Sequence, residues 1–402
     1  MTYPNNSSDW LQRLVGFDTI SHNSNLALID DIHAFLLTLG LSPMIVPNAV
    51  GDKANLWVSI YNHSPAKAKQ SGGIVLSGHS DVVPVANQAW SQNPFCAWIS
   101  DGKIYGRGAC DMKGFLACVL NFLPEAVGLA KENKLTHPLH LAVSFDEEVG
   151  CLGVPLLLAK LKTWGAVPDY CIVGEPTQLQ AVVAHKGISV YECTIQGKST
   201  HSSLTPVGVN AISYGAKMIE FITNVAEEAK DGVQDTAFDV PFTTLSVGQI
   251  QGGTAVNIVP DSCSFVFEQR HLPNSDPDVI IQKICAYAEK LSQTMQKIAP
   301  ECGIYLTKKV AVPALPCHDK QAELLTLIAK AKTQDNASAN PPKISTQKVA
   351  YATEGGHFYQ ADIPTVICGP GRINEAHKAD EFIAISELER CDRMLARLFT
   401  KD

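Results

Sequence analysis

The sequence predicts an α/β fold: a central, mostly parallel sheet flanked by helices, with a second, α+β domain inserted into it. Three observations carry this. Apolar runs of strand length at 74–76, 139–145, 170–173 and 365–368 alternate with helix-period segments. Such runs suit strands buried on both faces, and the alternation suits the βα units of an open sheet. Between about 184 and 315 the pattern changes to alternating, half-buried strands and two long helices. The buried-strand pattern then resumes. The middle segment therefore reads as an insertion, which gives a discontinuous domain of 1–183 with 316–402 and an inserted domain of 184–315.

The 402 residues allow two or three domains. Ser8-Asp9 can cap a first helix that carries Trp10, Leu11, Leu14 and Val15 on one face. Ser24-Asn25 precedes a second, about 25–39, ended by Gly40. Strands are expected at 42–46 and 54–60, ahead of the buried run at 74–76. Helices should run from Gly114 to about 127 and near 153–163. In the insertion, strands at 185–197, 243–251, 256–270 and 303–312 and helices near 207–229 and 277–298 follow a β-α-β-β-α-β order. That is the order of a ferredoxin-like unit. The polar stretch 332–343 reads as a surface loop.

The bulk numbers exclude several functions. Net charge is −8 without a Lys/Arg block, so no nucleic-acid partner is expected. No apolar run approaches the roughly 18 residues of a membrane span. Residues 1–9 are polar and lack a cationic, apolar signal. The twelve cysteines are scattered, with no Cys-x-x-Cys pair. Together these point to a reducing, cytoplasmic compartment.

The chemistry gathers where strands end. Residues two apart in an extended chain face the same side, so His79 and Asp81 point together just past the run at 74–76. The run at 139–145 delivers Asp146-Glu147-Glu148, and that at 170–173 delivers Gly174-Glu175-Pro176-Thr177. The last run leads through Gly369-Pro370-Gly371 to His377. Sites in open α/β sheets form outside the carboxyl ends of the strands, and acids gathered at one edge repel unless a cation neutralises them. His79, Asp111, Glu148, Glu175 and His377 are thus candidate ligands. Two imidazoles and three carboxylates suit Zn²⁺, and also Co²⁺ or Mn²⁺. Five ligands exceed one tetrahedral site but fit two ions that share a carboxylate. Asp111, in Gly-Arg-Gly-Ala-Cys-Asp-Met-Lys-Gly at 106–114, is the acid most tightly framed by glycine. Asp81 would accept from the other nitrogen of His79. Glu147 and Glu148 are adjacent and cannot both point at one atom, so one is free to take a proton from an attacking water.

His79-x-Asp81, the glycine-framed Asp111, Asp-Glu-Glu at 146–148, Gly-Glu-Pro-Thr at 174–177 and His377 together resemble the co-catalytic zinc aminoacylase and carboxypeptidase family, over nearly the whole chain. Further stretches carry the same resemblance: His185-Lys186-Gly187, Gly-Gly-Thr-Ala-Val-Asn at 252–257, Ala-Thr-Glu-Gly at 352–355 and Ala-His-Lys-Ala-Asp-Glu-Phe at 376–382. The resemblance implies a zinc-exopeptidase-like fold and two divalent ions, Zn²⁺ first and Co²⁺ as the alternative. One ion would take His79, Asp111 and Glu175; the other Asp111, Glu148 and His377. Glu147 would be the general base, and the Asp111–Met112 peptide would be cis. The inserted domain would serve as lid and homodimer interface, with His201 reaching the partner subunit's site to steady the oxyanion. Arg270 would pair with the substrate carboxylate, and Asn257 would hydrogen-bond nearby. The implied substrate is an N-acyl amino acid, N2-acetyl-L-ornithine before others, with desuccinylation and dipeptide hydrolysis as alternatives. Glu354, flanked by Gly355 and Gly356, reads as a carboxylate in a flexible turn that could hold a distal ammonium.

Overall fold

The structure is a computed structural model and describes residues 2–62, 71–332 and 344–400. By its contacts the chain falls into two compact units. One comprises Met1–Ala184, Cys317–Gln347 and Thr353–Asp402; the other comprises His185–Pro316 and Lys348–Ala352.

The first unit opens with α1 (Ser7–Val15), α2 (Leu26–Thr38), β1 (Met44–Pro47), β2 (Ala54–Ile60), β3 (Ile74–His79), β4 (Trp98–Ser100) and β5 (Lys103–Tyr105). It continues with α3 (Lys113–Lys131), β6 (Leu139–Ser144), α4 (Val154–Trp164), β7 (Tyr170–Pro176) and β8 (Ala181–His185). After the insertion come α7 (Ala322–Lys332), β13 (Thr346–Val349), α8 (Gly355–Gln360), β14 (Thr365–Gly369), β15 (Phe382–Ala384) and α9 (Ile385–Phe399). Residues 333–343 of the expected surface loop lie outside the described residues, and Lys332 closes α7 instead.

The main sheet has the order β1-β2-β6-β3-β7-β14-β8-β13. Its centre, β6-β3-β7-β14, is parallel, and the neighbours β2 and β8 join it antiparallel. The parallel strands are buried along nearly their whole length, as their unbroken apolar runs require. Their carboxyl ends share one edge. Contrary to the sequence reading, one helix, α3, is long and apolar enough by length and composition to cross a membrane, and 72% of its most apolar 18-residue window is buried in the fold. It packs on β3, where Gly78 leaves room for Leu116 and Met112.

One sequence expectation about a cap changes. The Asn6 side chain, not Ser8 or Asp9, caps α1 by accepting from Asp9 N–H at 2.8 Å. Asn25 makes no cap. Its amide is consumed by β2 and the exit of β3, bonding Ala54 N–H and carbonyl at 3.0 and 2.9 Å and Ser80 Oγ at 2.9 Å.

One buried histidine gives the fold a pH dependence. In β6, the His140 ring is wired as a neutral group. Trp57 Nε1–H donates to Ser59 Oγ (3.0 Å), the Ser59 hydroxyl donates to His140 Nδ1 (2.8 Å), and Nε2–H donates to the Gly72 carbonyl (2.9 Å). Burial pushes its pKa down from the ordinary 6.5 to about 4. The unfolded chain therefore binds the extra proton first as pH falls. The stabilisation is complete above pH 6.5 and is lost between 6.5 and 4, to the extent of about 3 kcal/mol. Urea midpoints at pH 7 and 4.5 should converge between wild type and His140→Gln as the pH is lowered. A constant gap would contradict the wiring.

The second unit contains β9 (Gly187–Gln196), α5 (Ala211–Lys230), β10 (Thr244–Gly252), β11 (Ser262–His271), α6 (Pro277–Gln296) and β12 (Gly303–Val312). The antiparallel order β10-β11-β9-β12 is that of a ferredoxin-like sheet. Alternate residues Tyr191, Cys193 and Ile195 of β9 and Cys263, Phe265 and Phe267 of β11 enter its core. The strand expected at 185–197 is divided at Lys186 between β8 and β9. The one expected at 256–270 starts only at Ser262, two residues after Pro260, which has no N–H to give a ladder.

Candidate metal centre

His79 ends β3, where the parallel ladder fixes its ring at the carboxyl edge. Asp111 sits in the turn between β5 and α3. Gly108 there has φ +81°, and a Cβ on Gly114 would lie 2.7 Å from the Ala109 carbonyl. Any larger residue at either position would displace the turn. The Asp111–Met112 peptide is cis, as the resemblance implies. Glu147 and Glu148 follow β6, Glu175 lies at the carboxyl end of β7, and His377 follows β14 with φ +63°.

These elements bring two ligand groups together around one carboxylate. His79 Nε2 lies 3.1 Å from Asp111 Oδ1 and 3.9 Å from Glu175 Oε1. His377 Nε2 lies 3.2 Å from Asp111 Oδ2 and 3.0 Å from Glu148 Oε1. The donor atoms of His79, Asp111 and Glu175 lie within 4.8 Å of one another, as do those of Asp111, Glu148 and His377. Each oxygen of Asp111 thus faces a different histidine. His79 and Asp111 are buried, whereas the His377 side chain is 49% exposed and opens the site to solvent.

The electrostatics fit divalent cations. Glu175 Oε1 is buried without a hydrogen-bond donor, a costly state for a carboxylate oxygen that a cation would relieve. Burial, reinforced by the charges of Asp111 and Glu147, pushes the Glu175 carboxyl well above its usual range. Burial and the neighbouring acids Glu148 and Asp111 do the same to Glu147. Burial would also raise Asp111, but hydrogen bonds from His377 and His79 outweigh it and hold the carboxyl low. The bonds to Asp111 and Glu148 raise His377 to about 10. One imidazole nitrogen and one carboxylate on each side of a shared acid form a donor set suited to Zn²⁺ or Co²⁺.

Asp81 is placed differently from the sequence expectation. His79 Nδ1–H donates to the Asp81 backbone carbonyl at 2.8 Å, while the Asp81 carboxylate stays 3.7 Å away. The tautomer that leaves Nε2 free for a ligand role is still fixed, but by the main chain. The carboxylate instead caps the acidic turn. It accepts Glu147 N–H at 3.0 Å, Glu148 N–H at 3.3 Å and the Ser21 hydroxyl at 2.7 Å. Glu147 is thereby held by its backbone, and its own carboxylate accepts the Cys151 thiol at 3.4 Å.

Glu354 also departs from expectation. It lies at the start of α8, fully buried, and takes the Ser77 hydroxyl on one oxygen and the Ser144 hydroxyl on the other at 2.7 Å. A carboxylate so enclosed offers nothing to a distal ammonium. Glu354→Gln should leave the ratio of turnover on cationic and neutral side chains unchanged. A shift of tenfold or more in that ratio would restore it as a specificity residue.

In the second unit, Arg270 pairs with Glu268 two residues back along β11, at 2.9 and 3.3 Å. His201 and Asn257 are exposed and adjacent there. Ser202 N–H donates to the Asn257 carbonyl at 3.0 Å, and His201 bridges to Ile258.

Sequence reasoning missed the supports of the acidic turn. Lys53 Nζ pairs with Asp146 at 2.6 Å and also donates to the Ser21 carbonyl. No local pattern around Lys53 signals this contact across 93 positions. Arg107 and Glu381 stood inside quoted motifs without a role, yet they form an ion pair that is 1% exposed on both sides.

Residues 75–401 match the model of peptidase family M20/M25/M40. An acetylornithine deacetylase of Myxococcus xanthus is 32% identical over 390 residues, covering 96% of this chain and 95% of that protein. Among solved structures, an M20 family metallo-carboxypeptidase from Sulfolobus solfataricus superposes with a TM-score of 0.70 at 19% identity, covering 98% of both chains. A dinuclear metal binding peptidase of the same family from Bacillus subtilis gives 0.61 at 15%, covering 98% of this chain and 96% of that one. At these identities the structural likeness concerns the fold.

Proposed function

Because this chain belongs to peptidase family M20/M25/M40, we propose that it is a two-metal amide hydrolase that removes the acetyl group from N2-acetyl-L-ornithine. The products would be acetate and ornithine, the latter for arginine biosynthesis. The observation that carries the reading is the pair of ligand triplets sharing Asp111, with the unshared Glu147 carboxylate beside them. The naming of the acetyl-ornithine substrate rests on the Myxococcus relative, similar over nearly its full length.

His79, Asp111 and Glu175 would hold one divalent ion and Asp111, Glu148 and His377 the other, Zn²⁺ in the first place. Two such ions polarise an amide carbonyl and acidify an attacking water. The protein's own residues do the rest. The raised pKa of Glu147 suits a group that accepts the water's proton at its carboxylate and returns it to the departing amine nitrogen. Asp81 keeps that carboxylate aimed by holding the Glu147 and Glu148 amides. His79 keeps Nε2 toward Asp111 because Nδ1–H is committed to the Asp81 carbonyl. His201, exposed in the second unit, is the residue through which a homodimer would steady the oxyanion, while Arg270 would pair with the substrate carboxylate and Asn257 would hydrogen-bond nearby. A cytoplasmic location agrees with the twelve cysteines, all unpaired.

A panel of N-acetyl, N-succinyl and dipeptide substrates tests the assignment. N-acetyl-ornithine should have the highest kcat/KM, exceeding the succinyl and dipeptide substrates by at least tenfold. Preference for a dipeptide or an N-succinyl amino acid would transfer the chain to another activity of the family.

A further inference from the structure

We propose that the buried Arg107–Glu381 pair positions the ligand triplet Asp111, Glu148 and His377, and so sets the affinity of that half of the centre for a divalent cation. This rests on reading both triplets as metal ligands.

The pair joins the loop that supplies the shared Asp111 to the loop that supplies His377. Glu381 Oε1 accepts the N–H groups of Cys110 and Asp111 at 2.9 and 3.1 Å, so it grips the backbone that presents the shared carboxylate. Glu381 Oε2 takes Arg107 Nη1 at 2.6 Å. The remaining reach of the guanidinium goes to the other loop. Nη1 also donates to the Lys378 carbonyl at 3.3 Å, and Nη2 donates to Gln88 Oε1, with a long 3.5 Å contact to the Pro84 carbonyl. Gln88 in turn donates through Nε2 to the carbonyl of His377 at 2.9 Å. The Trp90 ring faces the guanidinium at 5.0 Å, and Trp90 Nε1–H donates to Gln88 Oε1 at 3.1 Å.

A bond network this local has a specific purpose to serve. Asp111 and His377 are far apart in sequence, and their mutual placement cannot come from one strand or helix. His377 also occupies the left-handed backbone region, which a non-glycine residue keeps only where its surroundings over-determine it. An ordinary buried ion pair would stabilise the pairing of β5 with β15 and nothing more. Here the bonds run instead to the amide of one ligand and, through Gln88, to the carbonyl of the other. Partners of this kind orient ligands, and their removal typically weakens metal binding about 10–100-fold.

The two roles separate in a double variant. Glu381→Gln leaves Arg107 buried and unpaired, which destabilises the fold, whereas Arg107→Met/Glu381→Gln removes that charge and should recover stability. Metal-free wild type and variants would be titrated with Co²⁺, following visible absorption and competition with a chelator. His377→Ala would identify the absorption belonging to its triplet. Wild type should bind two ions. Glu381→Gln should bind the first as wild type does and the second about 10–100-fold more weakly. The double variant should regain its melting temperature without regaining the second ion, and Gln88→Ala should weaken the second ion alone. Wild-type affinity for the second ion in Glu381→Gln overturns the proposal, as does the same result in Gln88→Ala should Glu381→Gln fail to fold. Recovery of that affinity together with stability in the double variant overturns it as well. Fewer than two Co²⁺ in the wild type would sink the two-metal reading itself, and the proposal with it.

Discussion

Asp111→Asn is expected to lower kcat/KM by about four orders of magnitude, or ~5.5 kcal/mol of transition-state stabilisation. It should also leave at most one ion bound. The reason is geometric. The two oxygens of Asp111 face His79 at 3.1 Å and His377 at 3.2 Å, and an asparagine has only one oxygen to offer. Whichever way the amide turns, its NH₂ group meets one of the two ligand sets. The substitution also removes the negative charge that both histidines answer. Atomic absorption on dialysed protein and steady-state kinetics on the same sample would check this. Two ions retained with a loss of less than tenfold would mean that Asp111 is not shared.

Glu147→Gln should have the second-largest effect but the opposite metal signature. Its carboxylate is absent from both ligand groups and, among the described residues, accepts the Cys151 thiol, while its amide is fixed by Asp81. Glutamine keeps the size and the backbone bonds and loses only the capacity to take a proton. Positioned acid–base groups contribute about 10²–10⁴-fold, so kcat should fall by roughly 10³ with both ions retained and KM little changed. A variant that keeps full turnover removes Glu147 from the chemistry. One that loses an ion makes it a ligand instead.

Four of the five candidate ligands were legible because they stand where a buried apolar run ends. His79, Glu148 and Glu175 follow β3, β6 and β7, and these neighbour one another in the parallel sheet. Asp111 was legible through its glycines, and His377 through its place after β14. What could not be read was the scaffolding between these points. Whether Asp81 would reach His79 by its carboxylate or its carbonyl depends on how the chain bends after β3, which no residue type encodes. Lys53 meets Asp146 across 93 positions, and Glu354 meets Ser77 across 277. Burial at such separations is a property of the assembled sheet. Glu354 shows the cost most plainly: two flanking glycines suggest mobility, but here they let α8 start in a fully buried position.

The most direct test is anomalous diffraction from a crystal loaded with Zn²⁺ and measured at the zinc absorption edge. Two peaks should appear, one among His79, Asp111 and Glu175 and the other among Asp111, Glu148 and His377. A single peak, or two peaks of which neither touches Asp111, would contradict the shared-carboxylate centre on which the proposed function stands.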